Sequence, residues 1–327
     1  MLIPYYGMSP KGIEEIQNRS VMAGFFVLNS RVIHICALMK LLKKLLKIAF
    51  LSITLLLLFL IIIGGGFGEK EYPKNSALYS NELLLFAHRG DFTSAPENTM
   101  EAILSAKQKG FIAAEIDIQE SADNRFFVFH DVHGKRLLST TDTPFKTNLE
   151  DIKNHHVYFR KKITSSRIPS LEEVITEFGD STIFYFDMKG YGSKNGLELA
   201  EGINTFLEKY NVRNNVLVAS ISTAFLFYLE FKYPETHTVL EGLDVGNEWL
   251  YYLIPKKFRP DFLGGRHENI TEKHINWLKK NNMMNRKVVF SVKEKNYSQT
   301  IEWGFKKIIV DYGNYLDSTL SNTVKQK

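Results

Sequence analysis

The stretch FAHRGDFTSAPENTMEAI, residues 86–103, places two charged residues directly after an apolar run and just ahead of a helix start. His88 and Arg89 follow Leu83–Ala87, and Pro96 precedes an amphipathic helical pattern. A strand, a charged loop and a helix in this order are typical of a site at the carboxyl edge of an α/β sheet. Taken alone, the stretch leaves open a solvent-exposed polar turn.

From residue 83 to residue 311, short β-rich runs alternate with helical patterns. The strands are predicted at 83–88, 112–118, 183–188, 216–220, 237–241, 261–264, 287–292 and 307–311. The helices are predicted at 99–109, 170–178, 195–209, 222–232, 271–281 and 296–303. This alternation predicts a (β/α)₈ TIM-type barrel over residues 82–320, with a doubly wound open sheet as the alternative. No glycine-rich phosphate loop follows the first strand, which argues against a nucleotide-binding sheet.

One further β-rich run does not fit the alternation. RFFVFHD, residues 125–131, begins four residues after EIDIQE, which is too short a distance for a parallel crossover. It is therefore predicted to fold back as a hairpin with its turn at 122–124. That register would bring His130 level with residue 116 or 117. Residues 132–169 have little regular pattern and are predicted to be an insertion over the barrel mouth.

The charge of the chain is concentrated near its N-terminus. The 327 residues have a formal charge of +5, and residues 1–47 carry all of that excess, with seven basic and two acidic residues. The remainder is balanced, so a nucleic-acid-binding surface on the barrel is not expected. The one cysteine, Cys36, precedes the barrel and leaves it without a thiol nucleophile or an intrachain disulfide.

Residues 40–67 are predicted to be a transmembrane anchor. Four lysines precede an uncharged run from Ile48 to Phe67, which is about 30 Å long as a helix and matches the hydrocarbon core. The lysines predict a single-pass protein with its N-terminus in the cytoplasm and its barrel on the other side of the membrane. A cleaved signal peptide remains the alternative, although no Ala-x-Ala-like site is present. Residues 68–81 are predicted to be a linker.

Residues 1–38 are unusual ahead of such an anchor. Met39-Lys40 and the lysine-leucine pattern after it would make a natural start for an exported protein. The hypothesis is that translation begins at Met39 and that residues 1–38 are an over-extended N-terminus.

Charged side chains recur at the carboxyl ends of the predicted strands. Glu115 and Asp117 lie two residues apart on one strand and therefore share a face, as do Asp187 and Lys189 on another. Three converging carboxylates repel one another unless a cation joins them, and oxygen ligands favour Mg²⁺ or Ca²⁺ over Zn²⁺. Solvated strand-end charges remain the alternative.

Two histidines end neighbouring strands of the same predicted site. His88 and His130 can act as a general acid and a general base in one reaction. Arg89 and Lys189 can bind phosphate oxygens and stabilise developing negative charge. A metal, two histidines and two cations together favour phosphoryl transfer over acyl or glycosyl transfer. No Gly-x-Ser-x-Gly elbow supports a serine hydrolase.

These motifs together resemble the glycerophosphodiester phosphodiesterase family. The resemblance rests on HRGDFTSAPENTMEAILSAKQKG (88–110), AAEIDIQESADNRFFVFHD (113–131), IPSLEEVI (168–175) and FDMKG (186–190). It covers about residues 82–315 and is most specific in its first half. It implies a phosphatidylinositol-phospholipase-like barrel with one divalent cation, Mg²⁺ or Ca²⁺, at the mouth.

The resemblance also implies a role for each candidate residue. Glu115, Asp117 and Asp187 would hold the metal, His88 and His130 would be the acid/base pair, Arg89 and Lys189 would contact phosphate, and Glu97 and Asn98 would support the site. The chain departs from the family pattern at two points. The third metal ligand is usually Glu but is Asp187 here, and the usual Asp-Gly hairpin turn is Asp123-Asn124. Asn also tolerates a positive φ, so the second departure is expected to matter little.

The expected activity is therefore metal-dependent hydrolysis of a glycerophosphodiester to an alcohol and glycerol 3-phosphate. A lysophospholipase D-type enzyme acting on lysolipids is the alternative within enzymes. A membrane protein that binds phosphodiesters without turning them over is the alternative outside them. The expected partners are a small glycerophosphodiester or lysolipid substrate and the membrane, without nucleic acid. The sequence leaves head-group specificity, metal identity and oligomeric state open.

Overall fold

The structure is a computed structural model that describes residues 10–67, 70, 77–190, 196–243 and 246–311. It divides into two compact units, Met1–Ile63 and Gly64–Lys327.

The first unit is one helix, α1 (Pro10–Ile63). Its segment Leu38–Ile63 has a mean hydropathy of 2.8 and is long and apolar enough to cross a membrane. The helix ends four residues before the predicted end of the span at Phe67. Gly65 and Gly66 follow in left-handed conformations, which glycine adopts without steric cost and which end the helix. The helix also extends back beyond the predicted start at residue 40.

The second unit contains the strands. Eleven lie in the part of the chain that the structure describes: β1 (Leu84–Ala87), β2 (Ala113–Glu120), β3 (Phe126–Val128), β4 (Tyr158–Phe159), β5 (Lys162–Ile163), β6 (Ile183–Met188), β7 (Val216–Ser220), β8 (His237–Leu240), β9 (Phe262–Arg266), β10 (Lys287–Val292) and β11 (Lys307–Val310). Eight of them are parallel neighbours, and β1 pairs with both β2 and β11. The sheet therefore closes into the predicted eight-stranded barrel, and the open-sheet alternative is wrong.

Helices cover the outside of the barrel. They are α2 (Met100–Gln108), α3 (Leu149–Lys153), α4 (Leu171–Phe178), α5 (Gly196–Lys209), α6 (Thr223–Lys232), α7 (Glu272–Lys280) and α8 (Glu294–Glu302). All six predicted helices are present, and α3 was not predicted. Ser170 begins α4 with a capping box, in which its hydroxyl accepts from the Glu173 N–H and its own N–H donates to the Glu173 carboxylate. Two 3₁₀-helices, Glu248–Leu253 and Lys256–Phe258, connect β8 to β9.

The alternation of side chains along the strands places the site. In β1, Phe86 points into the barrel and Leu85 packs against the outer helices. In β6, Tyr185 points inward in the same way, so Asp187 follows it on the inner side. Apolar side chains such as Phe86 and Tyr185 fill most of the barrel interior, although Lys307 is buried at a strand start. The predicted site residues lie at the carboxyl ends of the strands, where barrel active sites are built.

The predicted hairpin is confirmed. The strand β3 pairs antiparallel with β2, with Val128 opposite Ile118. If this register is continued by two residues, His130 lies level with residue 116. Asn124 in the turn has a φ of 59°. The insertion 132–169 has a hydrophobic cluster of its own, formed with β3 by Phe127, Phe129, Leu137, Leu138, Leu149, Ile152, Val157 and Ile168.

The predicted linker, 68–81, includes residues that pack on the barrel. Lys70 forms ion pairs with Glu230 and Asp261, and Leu78 is fully buried at the floor of the barrel. Residues 68–69 and 71–76 of that segment lie outside the described residues, as do residues 312–320 of the predicted barrel.

Candidate active site

The carboxyl ends of the barrel strands surround a cavity of about 390 Å³. Seven of the nine predicted site residues line this cavity: His88, Arg89, Glu115, Asp117, His130, Asp187 and Lys189. The other two, Glu97 and Asn98, contact residues that line it. The structure therefore brings the whole predicted constellation together.

Three carboxyl groups of two adjacent strands converge in the cavity. Oxygens of Glu115, Asp117 and Asp187 lie within 4.8 Å of one another. Burial and the charge of Asp117 raise the pKa of Glu115 to about 8. Burial also raises the pKa of Asp187. Burial would raise the pKa of Asp117 as well, but the charges of Lys189 and Arg89 lower it to about 2.

This group of carboxylates fits the predicted cation. Buried like charges this close repel one another, and the raised pKa of Glu115 expresses that repulsion. Lys189 pairs with both Asp117 and Asp187, at 2.8 Å to the former, while its own pKa is raised by those charges despite burial. An all-oxygen donor set is suited to a hard divalent ion, which would relieve the remaining repulsion.

A tight turn after β1 aims the backbone into this group. Arg89 has a φ of 53° and its N–H donates to Glu115 Oε2 at 2.8 Å. Gly90 follows with a φ of 73°, and a Cβ at this position would lie 2.6 Å from the backbone carbon of Ala102 in α2. Position 90 therefore requires glycine, both for its positive φ and for the close approach of α2. Arg89, directly before it, also has a positive φ, which is a strained conformation for a residue with a side chain.

The loop that begins α2 supports the carboxylates. Asn98 is fully buried with a φ of 58°. Its Nδ2 donates to Asp117 Oδ2 at 2.7 Å, and its Oδ1 accepts from the Asp117 N–H at 3.1 Å. Glu97 Oε1 lies 2.7 Å from Arg89 Nη1. Asn98 thus contacts Asp117, a candidate metal ligand, and Glu97 contacts Arg89, a candidate phosphate-binding residue.

Each histidine has a carboxylate at Nδ1. His88 Nδ1 lies 2.7 Å from Asp311 Oδ1, and its Nε2 lies 3.8 Å from Glu115 Oε2. Burial would lower the pKa of His88, but the contacts with Asp311 and Glu115 raise it overall. His130 Nδ1 lies 2.8 Å from Asp131 Oδ1. A carboxylate at Nδ1 fixes the ring and leaves Nε2 as the atom available for proton transfer.

Arg136, in the insertion, connects the two sides of the site and was not predicted. It donates to both oxygens of Glu97, at 2.8 and 2.6 Å, and to both oxygens of Asp131, at 2.7 and 2.9 Å. Glu97 contacts Arg89, and Asp131 contacts His130. One guanidinium therefore links the position of an acid/base candidate to that of a phosphate-binding candidate.

Glu241 and Asp311 were also missed, although each ends a predicted strand as the chosen carboxylates do. Glu241 lines the cavity and accepts from Tyr185 Oη at 2.6 Å. Burial and the charge of Asp187 raise the pKa of Glu241 to about 7. The rule that selected Asp187, a carboxylate at the carboxyl end of a strand, would have found both residues.

The far rim of the cavity is partly apolar. Ile221 after β7 is 76% exposed, and Phe290 of β10 lies under the guanidinium of Arg266, with 5.8 Å from Cζ to the ring centre. Arg266 also lines the cavity. Its neighbour His267 does not, since it stacks on Trp303 and contacts Thr300.

Comparisons with known proteins agree with this geometry. The sequence profile of the glycerophosphoryl diester phosphodiesterase family matches residues 88–314. A glycerophosphodiester phosphodiesterase of Caldanaerobacter subterraneus subsp. tengcongensis is 32% identical over 147 residues, which cover 43% of this chain and 59% of the relative. The human glycerophosphodiester phosphodiesterase 1 is 30% identical over 138 residues, which cover 40% of this chain and 41% of the relative. The chain thus spans about half the length of these relatives.

Solved structures share the fold. A phosphodiesterase of Oleispira antarctica, solved in complex with the product sn-glycerol-3-phosphate, superimposes with a TM-score of 0.64. The two sequences are 20% identical, and the match covers 75% of this chain and 99% of the other. At this identity the likeness shows a common barrel fold.

Proposed function

Since the chain belongs to the glycerophosphoryl diester phosphodiesterase family, we propose that it hydrolyses glycerophosphodiesters to glycerol 3-phosphate and an alcohol. The single observation that carries this proposal is the convergence of His88, His130 and the three buried carboxylates on one cavity. A site that only bound phosphodiesters would not need two histidines with Nδ1 fixed by carboxylates.

Glu115, Asp117 and Asp187 would hold one divalent cation, Mg²⁺ or Ca²⁺. When bound, this ion supplies positive charge that polarises the phosphodiester. Arg89 and Lys189 would bind the phosphate oxygens and stabilise the charge that develops on them. Contacts with Asp117 hold the side chains of Arg89 and Lys189 at the cavity wall.

The histidines would move the protons. In a substrate with a hydroxyl beside the phosphoester, Nε2 of one histidine takes the hydroxyl proton as that oxygen attacks phosphorus. Nε2 of the other gives its proton to the leaving alcohol oxygen as the P–O bond breaks. A cyclic phosphate results, and water opens it with the two roles exchanged. Asp311 and Asp131 keep each Nδ1 occupied, which orients both rings.

The test is release of glycerol 3-phosphate by the full chain in detergent. Glycerophosphocholine and glycerophosphoethanolamine are each supplied with Mg²⁺, Ca²⁺ or EDTA. We expect metal-dependent release that His130→Ala lowers by about 10²–10⁴-fold. His133→Ala is the matched control, because His133 is exposed and bonds only to Thr143 among the described contacts. Release that survives His130→Ala would contradict the proposed mechanism.

Lysolipid hydrolysis is the second candidate, and the apolar rim favours it. Ile221 and Phe290 offer a surface on which an acyl chain could lie outside the polar cavity. This candidate predicts faster turnover of lysophosphatidylcholine than of glycerophosphocholine, with the difference reduced by Ile221→Ser. If the natural chain and Ile221→Ser each hydrolyse lysophosphatidylcholine and glycerophosphocholine at equal rates, glycerophosphodiesters remain the proposed substrate class. Binding of either phosphodiester without product would instead support a non-catalytic protein.

We also propose that α1 anchors the barrel to a membrane as a single span. The cytoplasmic N-terminus and the extracytoplasmic barrel follow from the lysines at 40–47. A membrane-impermeant maleimide tests the orientation in the chain expressed from Met1, because Cys36 is its only cysteine and precedes the span. In that chain Cys36 should react in lysed cells only. Mass spectrometry of the N-terminus would show whether the chain starts at Met39 and whether the anchor is cleaved.

A further inference from the structure

A group of apolar side chains is exposed on the barrel beside two lysines, far along the chain from the active-site motifs. Trp249 is 55% exposed and Leu253 is 56% exposed, both in the 3₁₀-helix that follows β8. We call this surface the 249–258 face; its other members are Leu250, Lys256, Lys257 and Phe258. None of these six residues lines the cavity described above.

The 249–258 face continues onto α6. The ring of Phe258 stacks on that of Phe231 with 5.1 Å between ring centres and lies 6.5 Å from that of Phe227. Phe231 is itself exposed on α6. Aromatic rings that stack and still face outward form a larger apolar surface than scattered exposed residues do.

The same face is tied to the residues that directly follow the apolar helix. The N–H of Lys257 donates to the Gly64 carbonyl at 3.0 Å, and the N–H of Lys256 donates to the Gly66 carbonyl at 3.0 Å. Gly65 between them has a φ of 76°, and a Cβ on it would lie 3.2 Å from the Lys256 side chain. Gly64 is bonded to Ile63, where the apolar span Leu38–Ile63 ends. The two lysines therefore bond to the residues that directly follow the span in the chain.

The residue composition of the 249–258 face fits the lipid headgroup layer at the end of the span. Trp sits at the level of lipid headgroups, where one side of the ring is in hydrocarbon and the other in water. Lysine stems lie along apolar surface while their ammonium groups reach lipid phosphates. Leu and Phe beside them would enter the outermost part of the hydrocarbon.

We propose that the 249–258 face lies in the headgroup layer of the membrane that α1 crosses, so that the barrel rests on lipid as well as being tethered to it. This inference rests on the proposed membrane anchor. The occupant of the face is the lipid surface itself, because the hydrogen bonds to Gly64 and Gly66 keep the face at the point where the chain leaves the span.

The test places one environment-sensitive fluorophore on the full chain. Cys36→Ser provides a cysteine-free background, and the chain is reconstituted in vesicles of phosphatidylcholine and phosphatidylglycerol. The fluorophore is attached at Leu253→Cys, at Ile163→Cys as the matched control, or at Leu57→Cys within the span. Ile163 is 63% exposed and lies on the β4–β5 hairpin of the insertion.

We expect spin-labelled lipid to quench the Leu253 label about twofold more than the Ile163 label, and aqueous iodide to quench it less. Quenching by lipid at Leu57 but equal behaviour of Leu253 and Ile163 would overturn the inference and leave the anchor standing. No lipid quenching at Leu57 would overturn the anchor and the inference together. Protection of Leu253 from both quenchers would mean a protein partner and would also overturn it.

A second site guards against a misfolded variant. Leu250 is 37% exposed on the same 3₁₀-helix, so Leu250→Cys should give the same pattern. The near-ultraviolet circular dichroism of each variant is compared with that of the Cys36→Ser chain, and the result is taken from the site that retains it. With vesicles of phosphatidylcholine alone, the difference between Leu253 and Ile163 should shrink, because Lys256 and Lys257 lose anionic headgroups.

Discussion

The two ends of the barrel both bury charged groups but arrange them differently. At the mouth, Glu115, Asp117 and Asp187 bring like charges together around an open cavity. At the floor, Lys70 lies between Glu230 and Asp261 and also donates to the Arg259 carbonyl. Each group combines carboxylates with lysine, and the two groups differ in access. The carboxylates of the mouth face an open cavity that a ligand can enter, whereas Glu230 and Asp261 at the floor surround Lys70 and do not line that cavity.

The largest expected effect tests the mouth. Glu115→Gln should abolish turnover, because it removes a proposed metal ligand and a charge while keeping the hydrogen bond from the Arg89 N–H. In EDTA the same variant should be more stable than the natural chain by about 1 kcal/mol, since a buried carboxylate beside Asp117 is gone. Thermal unfolding with and without Mg²⁺ or Ca²⁺ measures both effects.

The natural chain should melt at a higher temperature when the ion is added, and Glu115→Gln should lose that rise. Glu268→Gln is the matched control, because Glu268 is an exposed carboxylate outside the cavity. A Glu115→Gln chain that keeps its activity and its metal-dependent rise would contradict the assignment of these carboxylates.

The next effect tests the floor. Lys70→Met should destabilise the chain by about 3–5 kcal/mol, because it leaves Glu230 and Asp261 buried without their shared cation. Turnover per folded molecule should not change, since none of the three residues lines the cavity. Chemical denaturation and an active-site titration measure the two quantities separately. An exposed lysine, Lys273→Met, should change neither.

A third prediction concerns the contact between the insertion and the mouth. Arg136→Met should lower kcat by about 10–100-fold, because Asp131 and Glu97 lose their shared partner and His130 and Arg89 are less well positioned. Arg136→Lys should restore little of it, since an ammonium has three N–H donors and cannot replace the four hydrogen bonds that Arg136 donates to Glu97 and Asp131. KM should rise because Arg89 is less well positioned to bind phosphate, and kcat should fall because His130 is less well positioned to transfer a proton.

Arg125→Met serves as the control for that experiment. Arg125 also pairs with a carboxylate, Glu150, but at the surface and away from the cavity. A loss of stability in Arg136→Met without any change in kcat would show that the arginine serves the fold alone.

The sequence predicted the mouth better than the floor because the two ends depend on contacts of different range. A spacing of two residues placed Glu115 and Asp117 on one face, and the length of the hairpin fixed the level of His130. Both are local relations. Glu241 lines the same cavity and Asp311 contacts His88 only because the barrel closes, so the sequence showed that both residues end strands but not what they face.

Long-range pairing also explains why the sequence did not indicate that Lys70, within the predicted linker, packs on the barrel. Lys70 lies in a polar stretch, and its burial depends on Glu230 and Asp261, which are distant in the chain. Arg136 belongs to an insertion without periodicity, where neither spacing nor alternation indicates direction. The left-handed backbone of Arg89 and Asn98 was equally invisible, because it is imposed by contacts with Glu115 and Asp117.

The smallest expected effect concerns Lys307, a buried lysine at the floor whose described contacts include no carboxylate. Lys307 is fully buried, donates to the Ser80 carbonyl at 3.0 Å, and lies 5.9 Å from the centre of the Phe262 ring. Burial lowers the pKa of Lys307 to about 8 from a value of 10.5. Above pH 8 the folded chain therefore releases this proton, while the unfolded chain keeps it until about pH 10.5.

Because the unfolded state binds more protons in that window, this lysine makes the free energy of unfolding rise with pH. We expect a rise of about 1 kcal/mol between pH 8 and pH 9 in the natural chain relative to Lys307→Met. Urea unfolding at several pH values measures it, with the neighbouring Lys306→Met as the control. Parallel pH profiles for the natural chain and Lys307→Met would mean that Lys307 stays charged in the folded barrel. The floor would then hold a buried ammonium whose described partners are a carbonyl and an aromatic ring. Both ends of the barrel would then hold charge without full pairing, positive at the floor and negative at the mouth.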